Sequence, residues 1–146
     1  MLRGNAPATM DGKGRLKVPA AFRRHIDEAF GPEFFVTSID GSGVRLYPFP
    51  VWQELEKKIS SFPSFEPAVS RLTDLLSYYG AQSSMDKQGR LLIQPHLREA
   101  AEMSGEVAVL GKNNYLEVWN NERFLARLQA NPLSEEDRRI LSGLGL

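Results

Sequence analysis

The sequence predicts an α+β fold built from two homologous halves. Three observations carry this. A short turn is written twice, as MDGKGRL over Met10–Leu16 and as MDKQGRL over Met85–Leu91. The same order of strand, helix, strand pair and helix follows each copy. Positive charge collects at the two copies, in a chain whose 18 basic and 18 acidic residues otherwise cancel.

A fixed offset tests the repeat. The offset of 75 that relates Asp11 to Asp86 also pairs Met10 with Met85, Gly14 with Gly89, Arg15 with Arg90, Leu16 with Leu91 and Arg23 with Arg98. Val18 with Ile93 and Phe22 with Leu97 add conservative matches. Downstream the offset becomes 72, with Leu46-Tyr47 facing Val118-Trp119 and Trp52 facing Phe124, as a three-residue deletion between helix and strand would produce. The chain therefore divides into a first half over residues 1–60, a helical connector over 61–80, a second half over 81–130, and a C-terminal helix and tail over 131–146.

The elements read as follows. A short strand enters the first turn, and a second leaves it with Leu16 and Val18 on one face and Arg15 and Lys17 on the other. Pro19 suits the first position of a helix, whose apolar stripe is Phe22, Ile26 and Phe30 and whose end is Gly31. FFVTSI and GVRLYP form two strands around the turn signal DGSG, and a helix follows near Val51–Ile59. In the second half Pro95 opens the matching helix, EVAVL and YLEVW are strands around GKNN, and Asn121–Leu128 is the closing helix. Between the halves SSFPSFEP breaks the chain, and Val69, Leu72, Leu75, Leu76 and Tyr79 mark an amphipathic connector helix. Ser134 and Asp137 resemble a capping box ahead of a short last helix.

Composition narrows the class. Cysteine is absent, so there is no disulfide framework and no thiolate metal site. No apolar run reaches the roughly 18 residues of a membrane span, and the first residues lack the apolar core of a signal peptide. A cytoplasmic protein without membrane contact is expected. Charge is uneven. Residues 1–24 hold Arg3, Lys13, Arg15, Lys17, Arg23 and Arg24 against Asp11 alone, and residues 81–98 hold Lys87, Arg90 and Arg98 against Asp86. The intervening and following segments are acidic. Such a distribution steers an anionic polymer to one face.

The turn admits two readings. In one it is architecture only, with Asp11 and Asp86 bonding backbone N–H groups and Arg15 and Arg90 pairing with them. In the other, each carboxylate orients a guanidinium for bidentate contact with phosphate or guanine, the glycines permit close approach, and Lys13 at the tip reaches phosphate. Recurrence together with positive charge favours the second. Catalytic readings find no support: His25 and His96 are isolated and unmatched by the offset, and no nucleophile elbow, phosphate loop or dinucleotide fingerprint is present. No metal, cofactor or small-molecule substrate is called for. Phe34, Phe35, Tyr47, Trp52, Trp119 and Phe124 fall at core positions, where packing is the better reading than a base-stacking platform.

MLRGN, MDGKGRLKVPAAFR, LYPFPVW, MDKQGRLLI and YLEVW together resemble the MraZ family of bacterial transcriptional regulators, within the AbrB-like superfamily. The resemblance covers about residues 1–130. It implies two tandem AbrB-like swapped-hairpin halves that form a pseudo-two-fold β-barrel with flanking helices, and chains that assemble into a homo-oligomeric ring. It further implies binding of double-stranded DNA in the nucleoid, at tandem promoter repeats upstream of the division and cell-wall gene cluster, usually as repressor and autoregulator. The expected DNA contacts are Arg3, Lys13, Arg15, Lys17, Lys87 and Arg90, with Asp11, Gly14, Asp86 and Gly89 orienting the turns. Gln88 stands where the first turn has Lys13, and Leu92 where it has Lys17, so the second face is the less basic. The alternative is an AbrB-like antitoxin or protein-interaction module, in which the turns bind an acidic protein.

Overall fold

The two glycine turns set the frame, because the strands around them pair across the halves. A computed structural model describes all 146 residues. The first half runs β1 (Leu2–Thr9), β2 (Arg15–Lys17), α1 (Ala20–Ala29), β3 (Glu33–Thr37), β4 (Val44–Pro48) and α2 (Phe49–Ser60). After α3 (Pro67–Tyr79), the second half repeats the order as β5 (Ala81–Ser84), β6 (Arg90–Leu92), α4 (Pro95–Ala100), β7 (Glu106–Asn113), β8 (Leu116–Asn120) and α5 (Asn121–Ala130). A last helix, α6 (Glu135–Ile140), precedes the C-terminal turn. The class is α+β.

Six strands form one antiparallel sheet in the order β1-β7-β8-β4-β3-β5, and β2 pairs with β6 in a separate two-stranded ribbon. The order maps onto itself when the halves are exchanged. β1 lies beside β7, from Leu2 opposite Asn113 to Thr9 opposite Glu106. β5 lies beside β3, from Glu33 opposite Ser84 to Val36 opposite Ala81. Each half thus lends its first strand to the hairpin of the other. In the middle, Val44 faces Val118 and Leu46 faces Leu116 around the pair Arg45–Glu117. In the ribbon, Leu16 faces Leu91. These two pairs mark the pseudo-two-fold axis.

The core follows from the alternation. Leu16, Val18, Phe22 and Ile26 of the first half interlock with Leu91, Ile93 and Leu97 of the second in one cluster of 19 buried side chains. Full burial of each such side chain contributes roughly 1.5–3 kcal/mol. A smaller cluster of Tyr47, Trp52 and Leu76 holds α2 and α3 on the sheet, and Phe35 stacks on Trp52 at 4.2 Å between ring centroids. Phe34 is fully buried, and Trp119 is buried against Phe124. The six aromatics therefore serve packing. The connector helix is tied down by Thr37, whose buried Oγ1 donates to the Leu76 carbonyl at 2.8 Å.

Some boundaries differ from the sequence expectation. Only the second part of GKNN turns: β7 continues through Gly111 and Lys112, where β1 pairs with it. Reversal is left to Asn113, at φ 74°, and Lys112 N–H donates to the Tyr115 carbonyl at 2.9 Å. Asn tolerates this left-handed conformation better than most residues. Pro19 precedes α1 as its N-cap, as Gln94 precedes α4, so the backbone keeps the offset of 75 although the prolines do not. The second half is shortened in the helix itself and not only between helix and strand: α4 has 6 residues where α1 has 10, and a longer loop before β7 makes up part of the difference. α2 begins earlier than expected, at Phe49. The capping box is present, with Asp137 N–H donating to Ser134 Oγ at 3.0 Å and Ser134 N–H to Asp137 Oδ2 at 2.9 Å.

Candidate nucleic-acid interface

Both turns are built the same way. In the first, Asp11 Oδ1 accepts from the N–H groups of Lys13 and Arg15, each at 2.9 Å. Asp11 Oδ2 accepts from Arg15 Nε at 2.9 Å. In the second, Asp86 Oδ1 accepts from the N–H groups of Gln88 and Arg90 at 2.9 Å, and Oδ2 from Arg90 Nε at 2.8 Å. The three-residue loop then closes on a left-handed glycine, Gly14 at φ 79° or Gly89 at φ 80°, where a side chain would be strained. One carboxylate therefore satisfies the loop backbone and fixes a guanidinium together. Hydrogen bonding to the charged form, chiefly from the Arg15 and Arg90 backbone N–H groups, holds the Asp11 and Asp86 carboxyls below the usual aspartate range.

Strand pairing brings the two arginines to one surface. Arg15 stands opposite Leu92, and Lys17 opposite Arg90. Side chains opposite one another share a face of the ribbon, so Arg15, Lys17, Arg90 and Leu92 form the outer face while Leu16 and Leu91 are buried beneath. Diagonal neighbours such as Arg15 and Arg90 lie roughly 7–8 Å apart at their backbones. With Nε taken by its aspartate, each guanidinium keeps both terminal nitrogens unpaired, and about 30% of each side chain is exposed. That is a two-donor fork of fixed direction, matched to guanine O6 and N7 or to a phosphate. Lys13 and Lys87 are exposed on the loop tips. Leu92, 42% exposed, makes the outer face asymmetric.

Arg3 is not part of this surface. It lies near the far end of β1 opposite Lys112, six steps along the strand from Thr9, roughly 20 Å at about 3.3 Å per residue. Two residues absent from the sequence-based site do reach it. Arg23 on α1 donates through Nη2 to the Lys87 carbonyl at 2.9 Å. Arg98 on α4 lies against the first turn, where a Cβ on Gly14 would collide with its guanidinium. Their identity at the offset of 75 was the available signal.

Elsewhere, His96 bonds through Nε2 with the Tyr78 carbonyl at 2.7 Å, and His25 packs edge-on against Phe30. No group of three or more His, Cys, Asp or Glu is placed to hold a metal ion, and no helix is long and apolar enough to cross a membrane.

Comparison with known proteins agrees with this geometry. The family model described as "MraZ protein, putative antitoxin-like" matches twice, over residues 1–75 and 79–142. A protein named transcriptional regulator MraZ from Acidobacterium capsulatum is 44% identical over the full length of both chains. One of the same name from Koribacter versatilis is 46% identical, again over the whole of both. A third, from Thiobacillus denitrificans, is 36% identical over 93% of each chain. The doubled match, the full-length relatives and the paired Asp–Arg turns together place the chain in the MraZ family.

Proposed function

We propose that this chain is a sequence-specific, double-stranded-DNA-binding transcriptional regulator, and that the β2–β6 ribbon is its reading surface. One observation carries the proposal: two oriented guanidinium forks with free terminal nitrogens stand side by side on the exposed face of a two-stranded ribbon, an element that fits the major groove. The regulator names of the full-length relatives support it. In this reading Arg15 and Arg90 read base edges, while Lys13, Lys17 and Lys87 contact phosphate. Arg3 contributes only if the DNA extends to the far end of β1.

In this reading the chain is an AbrB-like swapped-hairpin barrel with halves at 1–60 and 81–130, and the exchange of β1 and β5 between the two hairpins supports it. Chains assemble into a ring, for which exposed Phe62, Phe65, Leu125, Leu128 and Ile140 supply apolar surface. A ring repeats the ribbon, and tandem DNA sites then bind at raised effective concentration. The protein acts in the cytoplasm, associated with the nucleoid, as repressor and autoregulator of the division and cell-wall gene cluster. A gel shift tests this: the promoter of its own operon should be retarded at concentrations that leave a scrambled duplex free. Equal retardation of both removes sequence specificity. Retardation of neither favours the protein-interaction module.

A further inference from the structure

We propose that each Asp–Arg turn is positioned by the opposite half, Arg98 setting the Arg15 turn and Arg23 the Arg90 turn. Each turn glycine is gripped from across the axis in two ways. The Gly89 carbonyl accepts from Val18 N–H at 2.8 Å, and the Gly14 carbonyl from Ile93 N–H at 3.0 Å. The α-carbons are covered by arginines: a Cβ on Gly89 would lie 2.7 Å from Arg23 Nη1, and one on Gly14 would collide with the Arg98 guanidinium. Arg23 also donates to the Lys87 carbonyl inside the second turn.

These arginines are not free surface cations. The Nε atoms of both Arg23 and Arg98 are buried without a hydrogen-bond acceptor, and the Arg23–Asp27 approach, at 3.7 Å, is too long for one. A buried unpaired donor is unfavourable. Both members of the repeat pair lie against a turn glycine of the other half, and that shared placement carries the assignment. Arg15 follows Gly14 directly, and Arg90 follows Gly89. Moving a glycine therefore moves the guanidinium beside it. The reading arginine of each half answers to a helix residue of the other, which makes the two halves one reading device.

The test uses the full chain. Hydrogen–deuterium exchange read by mass spectrometry needs no DNA. Arg98→Ala should cost the peptide over residues 11–17 its protection and leave 86–92 unchanged, and Arg23→Ala should do the reverse. Arg98→Lys and Arg23→Lys, which keep charge without the planar fork, give the same crossed pattern where an alanine variant folds poorly. Loss confined to the variant's own half, or equal loss in both turns, overturns the proposal. The second arm rests on the DNA-binding reading. On the own-operon promoter, Arg98→Ala should weaken binding several-fold alone and in an Arg90→Ala background, but add little to Arg15→Ala, because residues acting through one turn are non-additive. Additivity with Arg15→Ala contradicts the crossed assignment. Crossed protection in a chain that binds no DNA upholds the positioning claim and defeats the DNA reading instead.

Discussion

Replacing Arg15 with alanine separates base reading from turn architecture. Asp11 would keep the N–H groups of Lys13 and Arg15 on Oδ1 and lose only the Nε contact on Oδ2. That ion pair is partly exposed, and exposed pairs contribute little to folding. The hairpin should therefore persist, as circular dichroism and the exchange of residues 11–17 would show. What disappears is a fork of two free donors in a fixed orientation. A bidentate contact of this kind discriminates by about 1–3 kcal/mol against a wrong base, roughly 5- to 150-fold in the ratio of specific to random affinity. Fluorescence anisotropy with the own-operon promoter and a scrambled duplex measures that ratio. Arg90→Ala should lower it less, because the second face is less basic. A folded Arg15→Ala protein that keeps the full ratio would show the arginine to be architectural and not a reader of bases.

The other expectations follow from the same geometry. Lys13→Ala should weaken specific and random binding alike and reduce the salt slope by about one, since each phosphate contact contributes about −0.9 to that slope; a change confined to the specific site contradicts this. Leu92→Lys installs at the second half what Lys17 supplies to the first, so random-DNA affinity should rise and the salt slope steepen by about one; unchanged random binding would place Leu92 off the DNA. Asp11 and Asp86 have folded pKa values below their unfolded ones, so their stabilisation is present above about pH 4 and lost as pH falls through the lower folded value. The melting-temperature gap between wild type and Asp11→Asn should accordingly narrow as pH falls below the ordinary aspartate range, and a gap that stays constant would show that the carboxylate charge is idle. Light scattering should give a mass several times 16.4 kDa, and a clean monomer at micromolar concentration would remove the ring.

The turns were legible in the sequence because their bonding is local: Asp11 closes on groups two and four residues away. The order of elements was legible because burial imposes its period. Partners across the axis left no local trace. Nothing in the alternation of β1 says that it lies beside β7, and Arg23 meets a carbonyl 64 residues further along the chain. Charge clustering drew Arg3 into the candidate site, but the eight extended residues of β1 carry it away from the ribbon. The GKNN boundary failed for a related reason: pairing with β1 extends β7 past its glycine.

If the ribbon reads guanines in the major groove, it covers their N7 edges. Dimethyl sulfate reactivity at guanine N7, measured on the own-operon promoter with the chain bound, tests it most directly. A small set of guanines should be protected, part of it lost in Arg15→Ala and another part in Arg90→Ala. Full reactivity of every guanine under saturating protein, or the same protection in both variants, would contradict it.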